Sequence, residues 1–158
     1  MHIPLLLAAF LAGFMNLAVA AQADKPASNM GILADKVRAD KKLIVANNMQ
    51  LTEAEAKKFW PVYKAYQTDL GKLNEKIAAM ILAYAKDYNS DSLTDKKAKK
   101  LINDAIAVDE ADAKLKRTYL PKVTKVLPMK KAARYFQIES KIRAIIRYEL
   151  AGEIPLVP

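Results

Sequence analysis

Apolar side chains stand at Phe59, Tyr63, Tyr66, Leu70, Leu73, Ile77, Met80 and Tyr84, at intervals that alternate between four and three. This is the seven-residue repeat of a helix lying along another helix with coiled-coil geometry. A second series answers it at Leu101, Ala105, Val108, Leu115, Tyr119, Val123 and Val126. Asp112 interrupts that series, and a carboxylate in a seam must be exposed or paired with a base, because an unpaired buried charge is costly. Only the short stretch "NSDS", Asn89 to Ser92, separates the two runs, so they predict a long antiparallel hairpin. At about 1.5 Å per residue the first arm spans roughly 50 Å.

Cap residues mark the helix ends. Thr52 precedes the first arm with Glu55 three positions on, which is the pattern of a capping box. Thr94 precedes the second arm, with Asp95 favourable in its first turn. The first arm is expected to end near Tyr88 and the second near Val126. Pro128 is suited to the first turn of a further helix, which Gly152 would close. Before the hairpin, a helix is expected over about Asn29 to Asn47, with apolar residues Ile32, Leu33, Val37, Leu43, Ile44 and Val45, and the Asn47-Asn48 pair as its stop. Strand signals are absent. The fold class is all-α, with four helices after a leader and the hairpin as main body.

Pro61 and Pro121 fall inside the arms. An interior proline removes a backbone hydrogen bond and crowds the preceding turn, and the usual result is a kink. In an antiparallel hairpin the start of one arm lies beside the end of the other. The two prolines should therefore share one end of the hairpin and bend it there.

Residues 3–20 are almost wholly apolar, and Ala18-Val19-Ala20 and Ala21-Gln22-Ala23 follow as small-x-small sites. This is the layout of a cleavable secretory signal, expected over residues 1–23, with cleavage after Ala23. An uncleaved anchor is the rival reading, but the run is short for a span of about 20 residues. The mature part, 24–158, has the size of one domain. The chain has no cysteine, which excludes lipid attachment at the cut and any disulfide in an oxidising compartment. The formal net charge of +9 belongs wholly to the mature part, since the leader carries no Asp, Glu, Lys or Arg. An exported chain seldom meets nucleic acid. The charge therefore points to anionic envelope components or to acidic polypeptides, and the periplasm is the expected location.

No residue set announces a reaction. The single histidine is His2, in the leader, so a Ser-His or Cys-His pair is excluded from the mature part. Glu53, Glu55, Asp109, Glu110 and Asp112 read as solvated faces or ion pairs. Met30, Met49, Met80, Met129 and carboxylates do not specify one metal. No catalytic residue, metal or cofactor is expected. The aromatic set, which includes Trp60, Tyr88, Tyr135, Phe136 and Tyr148, reads first as core and second as a binding surface.

The last helix is more informative. Lys125, Lys130, Lys131, Arg134, Lys141, Arg143 and Arg147 are opposed there only by Glu139, and Tyr135, Ile138, Ile142, Ile145 and Ile146 form an apolar stripe on the same helix. Solvent-facing bases beside an exposed apolar strip would suit the loose capture of unfolded, partly acidic chains. They would equally suit a helix resting on an anionic membrane.

Two helix starts repeat one pattern, Leu51-Thr52-Glu53-Ala54-Glu55 and Leu93-Thr94-Asp95-Lys96-Lys97. With the leader, the mature length and the four-helix layout, they resemble the Spy/CpxP family of periplasmic proteins, whose hallmark is a twice-repeated LTxxQ motif. Neither copy here has the glutamine. Over about Asn29 to Gly152, the resemblance implies a bent helical hairpin that dimerises into a cradle. It also implies an ATP-independent chaperone for unfolded or partly folded envelope proteins, or an accessory that restrains an envelope stress sensor. Metal sensing, known among related proteins, lacks its usual ligands here.

Overall fold

The fold is that of a computed structural model, which describes residues 40–158. Four helices occur among the described residues and no strand does. They are α1 over 40–49, α2 at Glu53–Asn89, α3 at Asp95–Thr124 and α4 at Met129–Glu153. The expected leader, the start of the first helix and Met30, Ile32, Leu33 and Val37 lie outside the described residues.

The Asn47-Asn48 pair does not stop α1, which runs on to Met49 and ends at Gln50, where φ is +47°. The reason is tertiary. Lys41, Val45 and Met49 recur every four residues on one face, and all three are buried. Burying Met49 holds the last turn in place despite the poor helix propensity of asparagine. Leu43 and Ile44 are exposed on the other side.

The repeated Leu-Thr starts do the same work twice. The Thr52 hydroxyl accepts from the Glu55 N–H at 3.3 Å, and a Glu55 carboxylate oxygen accepts from the Thr52 N–H at 2.8 Å, closing the capping box. The Thr94 hydroxyl accepts from the Lys97 N–H at 3.4 Å. Lys97 cannot close a box; its ammonium instead reaches back to Asp87 at 2.7 Å and the Ser92 carbonyl at 3.0 Å, fastening the loop. Each preceding leucine anchors its helix start. Leu51 packs on the main core and Leu93 on Tyr84 and Ala85.

The α2 seam is buried along most of its length, and α2 and α3 pair as the periodicity requires. Phe59, Tyr63, Tyr66 and Leu70 of α2 meet Tyr119 and Val123 of α3 in one core, which α1 completes with Val45 and Met49, and α4 with Ala132 and Tyr135. Both prolines lie inside helices that continue past them. Pro61 is flanked by Phe59 and Tyr63, and Pro121 by Tyr119 and Val123, so the two share one end of the hairpin. At α4 the boundaries differ by a residue or two from expectation. Pro128 is the N-cap rather than a first-turn residue, and Gly152 sits inside the last turn without a positive φ. The helix ends one residue later, at Glu153, with Ile154 extended after it.

Candidate functional site

The seven bases of the Lys125–Arg147 region divide into two groups. Lys125, Lys130 and Lys141 are exposed and have no ion-pair partner among the described residues. Arg134 is also exposed, and its guanidinium reaches the Asn48 carbonyl at 3.4 Å. Lys131 is part of the scaffold: its ammonium lies 2.5 Å from a Glu55 carboxylate oxygen and donates to the Gln50 carbonyl at 2.9 Å. Together Lys131 and Arg134 satisfy carbonyls at the end of α1, which a helix C-terminus leaves without partners. Arg147 forms an exposed pair with Asp109 at 2.8 Å.

Arg143 departs furthest from expectation. It is 9% exposed, not solvent-facing, and lies 3.0 Å from Asp112. Asp112 is therefore the paired seam carboxylate that the periodicity demanded, held also by Lys116 at 2.8 Å. The apolar strip is corrected as well. Tyr135 is fully buried, and Ile138 packs on the core; Ile142 and Ile146 are half-buried. These residues face inward because α4 caps the open side of the hairpin, where it meets the α2 rings. Tyr135 stacks edge-on to Phe59 with ring centres 5.0 Å apart, and Tyr66 meets Tyr119 in the same way at 5.2 Å. Most of the aromatic set is core.

The outward face of α4 has a different composition from the one expected. At 3.6 residues per turn, Lys130, Arg134, Lys141, Ile145 and Tyr148 fall on one side of the helix. All five are exposed, Ile145 to 61% and Tyr148 to 82%. Met129 is exposed beside them at the helix start. The face is basic over its first half and apolar over its second. Its basic half coincides with the helix N-terminus, the positive end of the helix dipole, and the first turn of α4 holds no acidic residue to offset it.

Behind this face lies a buried polar cluster that sequence reading missed. Glu139 is fully buried. One carboxylate oxygen accepts from the Gln67 amide at 2.8 Å and the other is 2.8 Å from the Lys41 ammonium. Lys41 also donates to the Gln67 carbonyl oxygen at 2.8 Å. Burial pulls the Lys41 ammonium below the ordinary lysine range, even against the attraction of Glu139. Burial also raises Tyr63, Tyr66 and Tyr135 well above the usual tyrosine value, with Glu139 adding to the shift. A signal for this cluster exists in the sequence. Ala132, Tyr135, Glu139 and Arg143 are spaced three, four and four, which keeps them on one face of a helix.

No helix among the described residues is long and apolar enough to cross a membrane. Among the same residues no group of three or more His, Cys, Asp or Glu is placed to hold a metal. No family model, curated protein or solved structure matches the chain.

Proposed function

We propose that the protein is an exported helical binding protein of the Spy/CpxP kind, which holds unfolded or partly folded envelope proteins in the periplasm without ATP and without a catalytic step. The observation that carries this reading is the outward face of α4, where Lys130, Arg134 and Lys141 lead into the exposed Ile145 and Tyr148. The bases draw in partly acidic chains over a distance. The apolar residues then give contact without a defined pocket, so many clients fit.

The deciding experiment replaces Lys125, Lys130 and Lys141 by Glu together. Lys131, Arg134 and Arg143 are left in place, because all three bond within the scaffold. The variant should fold as the parent does, since exposed charges contribute little to stability. The parent should suppress aggregation of a denatured enzyme without ATP, and the variant should lose most of that activity. Binding of the parent to anionic vesicles, with no effect on aggregation, would replace this reading by that of an accessory docked on an anionic envelope component. Equal behaviour of parent and variant in both assays would remove α4 from the function.

A further inference from the structure

Between α2, α3 and α4, on the inward side of α4, lies an open cleft of about 320 Å³. Helices α2 and α4 run in the same direction along it, because Gln67 meets Glu139 at one end and Tyr84 meets the Pro155 carbonyl at the other. This register gives the cleft two unlike ends. The end nearer Gln67 is polar, with Asn74, Lys41 and Arg143, and the end nearer Tyr84 is apolar, with Ile81, Leu150 and Ile154.

Asn74 places a carboxamide in the wall of this cleft. The residue is only 6% exposed, yet its carboxamide is not fully buried and opens onto the cleft. A carboxamide set in an otherwise apolar wall is a placed polar group of the kind that orients a bound ligand. Nearby, Arg143 spends one guanidinium nitrogen on Asp112. A guanidinium carries five N–H donors in a fixed fork, so donors remain for an acceptor in the cleft. Arg147 stands at the mouth in an exposed pair with Asp109, and such a pair is weak enough to exchange partners.

We propose that this cleft binds a long-chain monocarboxylate, with its carboxylate at Asn74 and Arg143 and its aliphatic chain along Ile77, Ile81 and Leu150 toward Ile154. The volume is in the range of small-molecule sites, which run from about 300 to 1,000 Å³ and combine apolar walls with a few placed polar groups. Asn74 then donates to the carboxylate, and the ligand's charge meets the guanidinium donors that Arg143 does not spend on Asp112. The site is independent of the outward face of α4, which contributes none of these residues.

The test uses the full chain and cis-parinarate, a carboxylate that fluoresces in apolar surroundings. Saturable enhancement is expected. It should be displaced by laurate and not by methyl laurate, which has the same chain but no charge. Ala151 is exposed at the mouth, so Ala151→Trp should block entry without disturbing the core. Asn74→Leu should weaken binding by about tenfold, since a hydrogen bond to a charged group is lost. Absence of saturable enhancement, or equal displacement by the methyl ester, overturns the proposal. So does parental binding by a folded Ala151→Trp variant. The ester comparison needs no variant and decides the head group by itself.

Discussion

The ion pairs that α4 makes with α3, Asp112–Arg143 and Asp109–Arg147, differ in what each residue would lose. Asp112 and Arg143 are both buried, whereas Arg147 and Asp109 are both exposed. Asp112→Ala strands Arg143 in the core and should cost about 3–5 kcal/mol in urea unfolding, because removing one member of a buried pair leaves the other uncompensated. Arg147→Ala should change stability by less than about 0.5 kcal/mol, as a solvated pair does. Comparable losses for the two would mean that the Asp112–Arg143 pair is solvated. The buried tyrosines set the alkaline limit. An unfolded tyrosine ionises near 10.0, whereas Tyr119, buried and donating to Asp69 at 2.7 Å, is pushed up to about 12. Tyr63, Tyr66 and Tyr135 shift the same way. Above pH 10 the unfolded chain therefore holds fewer protons than the folded one, and stability falls as pH rises. Lys41 has the opposite sign, because its lowered value makes loss of its proton favourable to the fold as pH approaches 10.5. Four tyrosines outweigh one lysine. Ultraviolet titration should show these tyrosines ionising only with or after unfolding, and their free ionisation near pH 10 in folded protein would contradict the burial.

At the scale of the element, Pro61 is the informative residue. It is exposed and lies within α2, where an N–H at that position would bond to the Lys57 carbonyl. Pro61→Ala restores that donor. A gain of about 3 kcal/mol from the helix, less about 1 kcal/mol for the freer unfolded chain, predicts a net stabilisation of about 1–2 kcal/mol in thermal or urea unfolding. A drop in stability would instead show that Pro61 itself is needed to seat Phe59 and Tyr63 against Tyr135. The hairpin itself was legible, since a four-three rhythm in both arms and a short polar loop leave one arrangement. The facing of α4 was harder to read. Its apolar residues and its bases are both plentiful, and a stripe on a helix can face a neighbour or solvent. Only the neighbouring rings of α2 settle which.

For the whole molecule, charge determines how partners are met. A chain with formal net charge +9 that exposes Lys125, Lys130, Arg134 and Lys141 near the start of α4 has a long-range field there. Client capture on the proposed reading should slow as salt rises, because screening shortens the field to about 8 Å at physiological ionic strength. Stopped-flow association at increasing salt measures this directly. The Lys125, Lys130 and Lys141 charge-reversal variant should start slower and respond less to salt. A parent rate that does not change with salt would remove steering from the mechanism.

The sequence by itself determined what repeats along a helix: the all-helical class, the paired seams, the two capped starts and the need for Asp112 to find a base. These follow from interactions within a few residues, which spacing records. It did not determine which base Asp112 would find, that Glu139 would meet Lys41, or that α1 would run through its asparagines to bury Met49. Those partners are far apart in the chain and meet only when the helices pack. Burial then gives each charge a partner or a cost, and one helix repeat serves both the core side of α4 and its outer face.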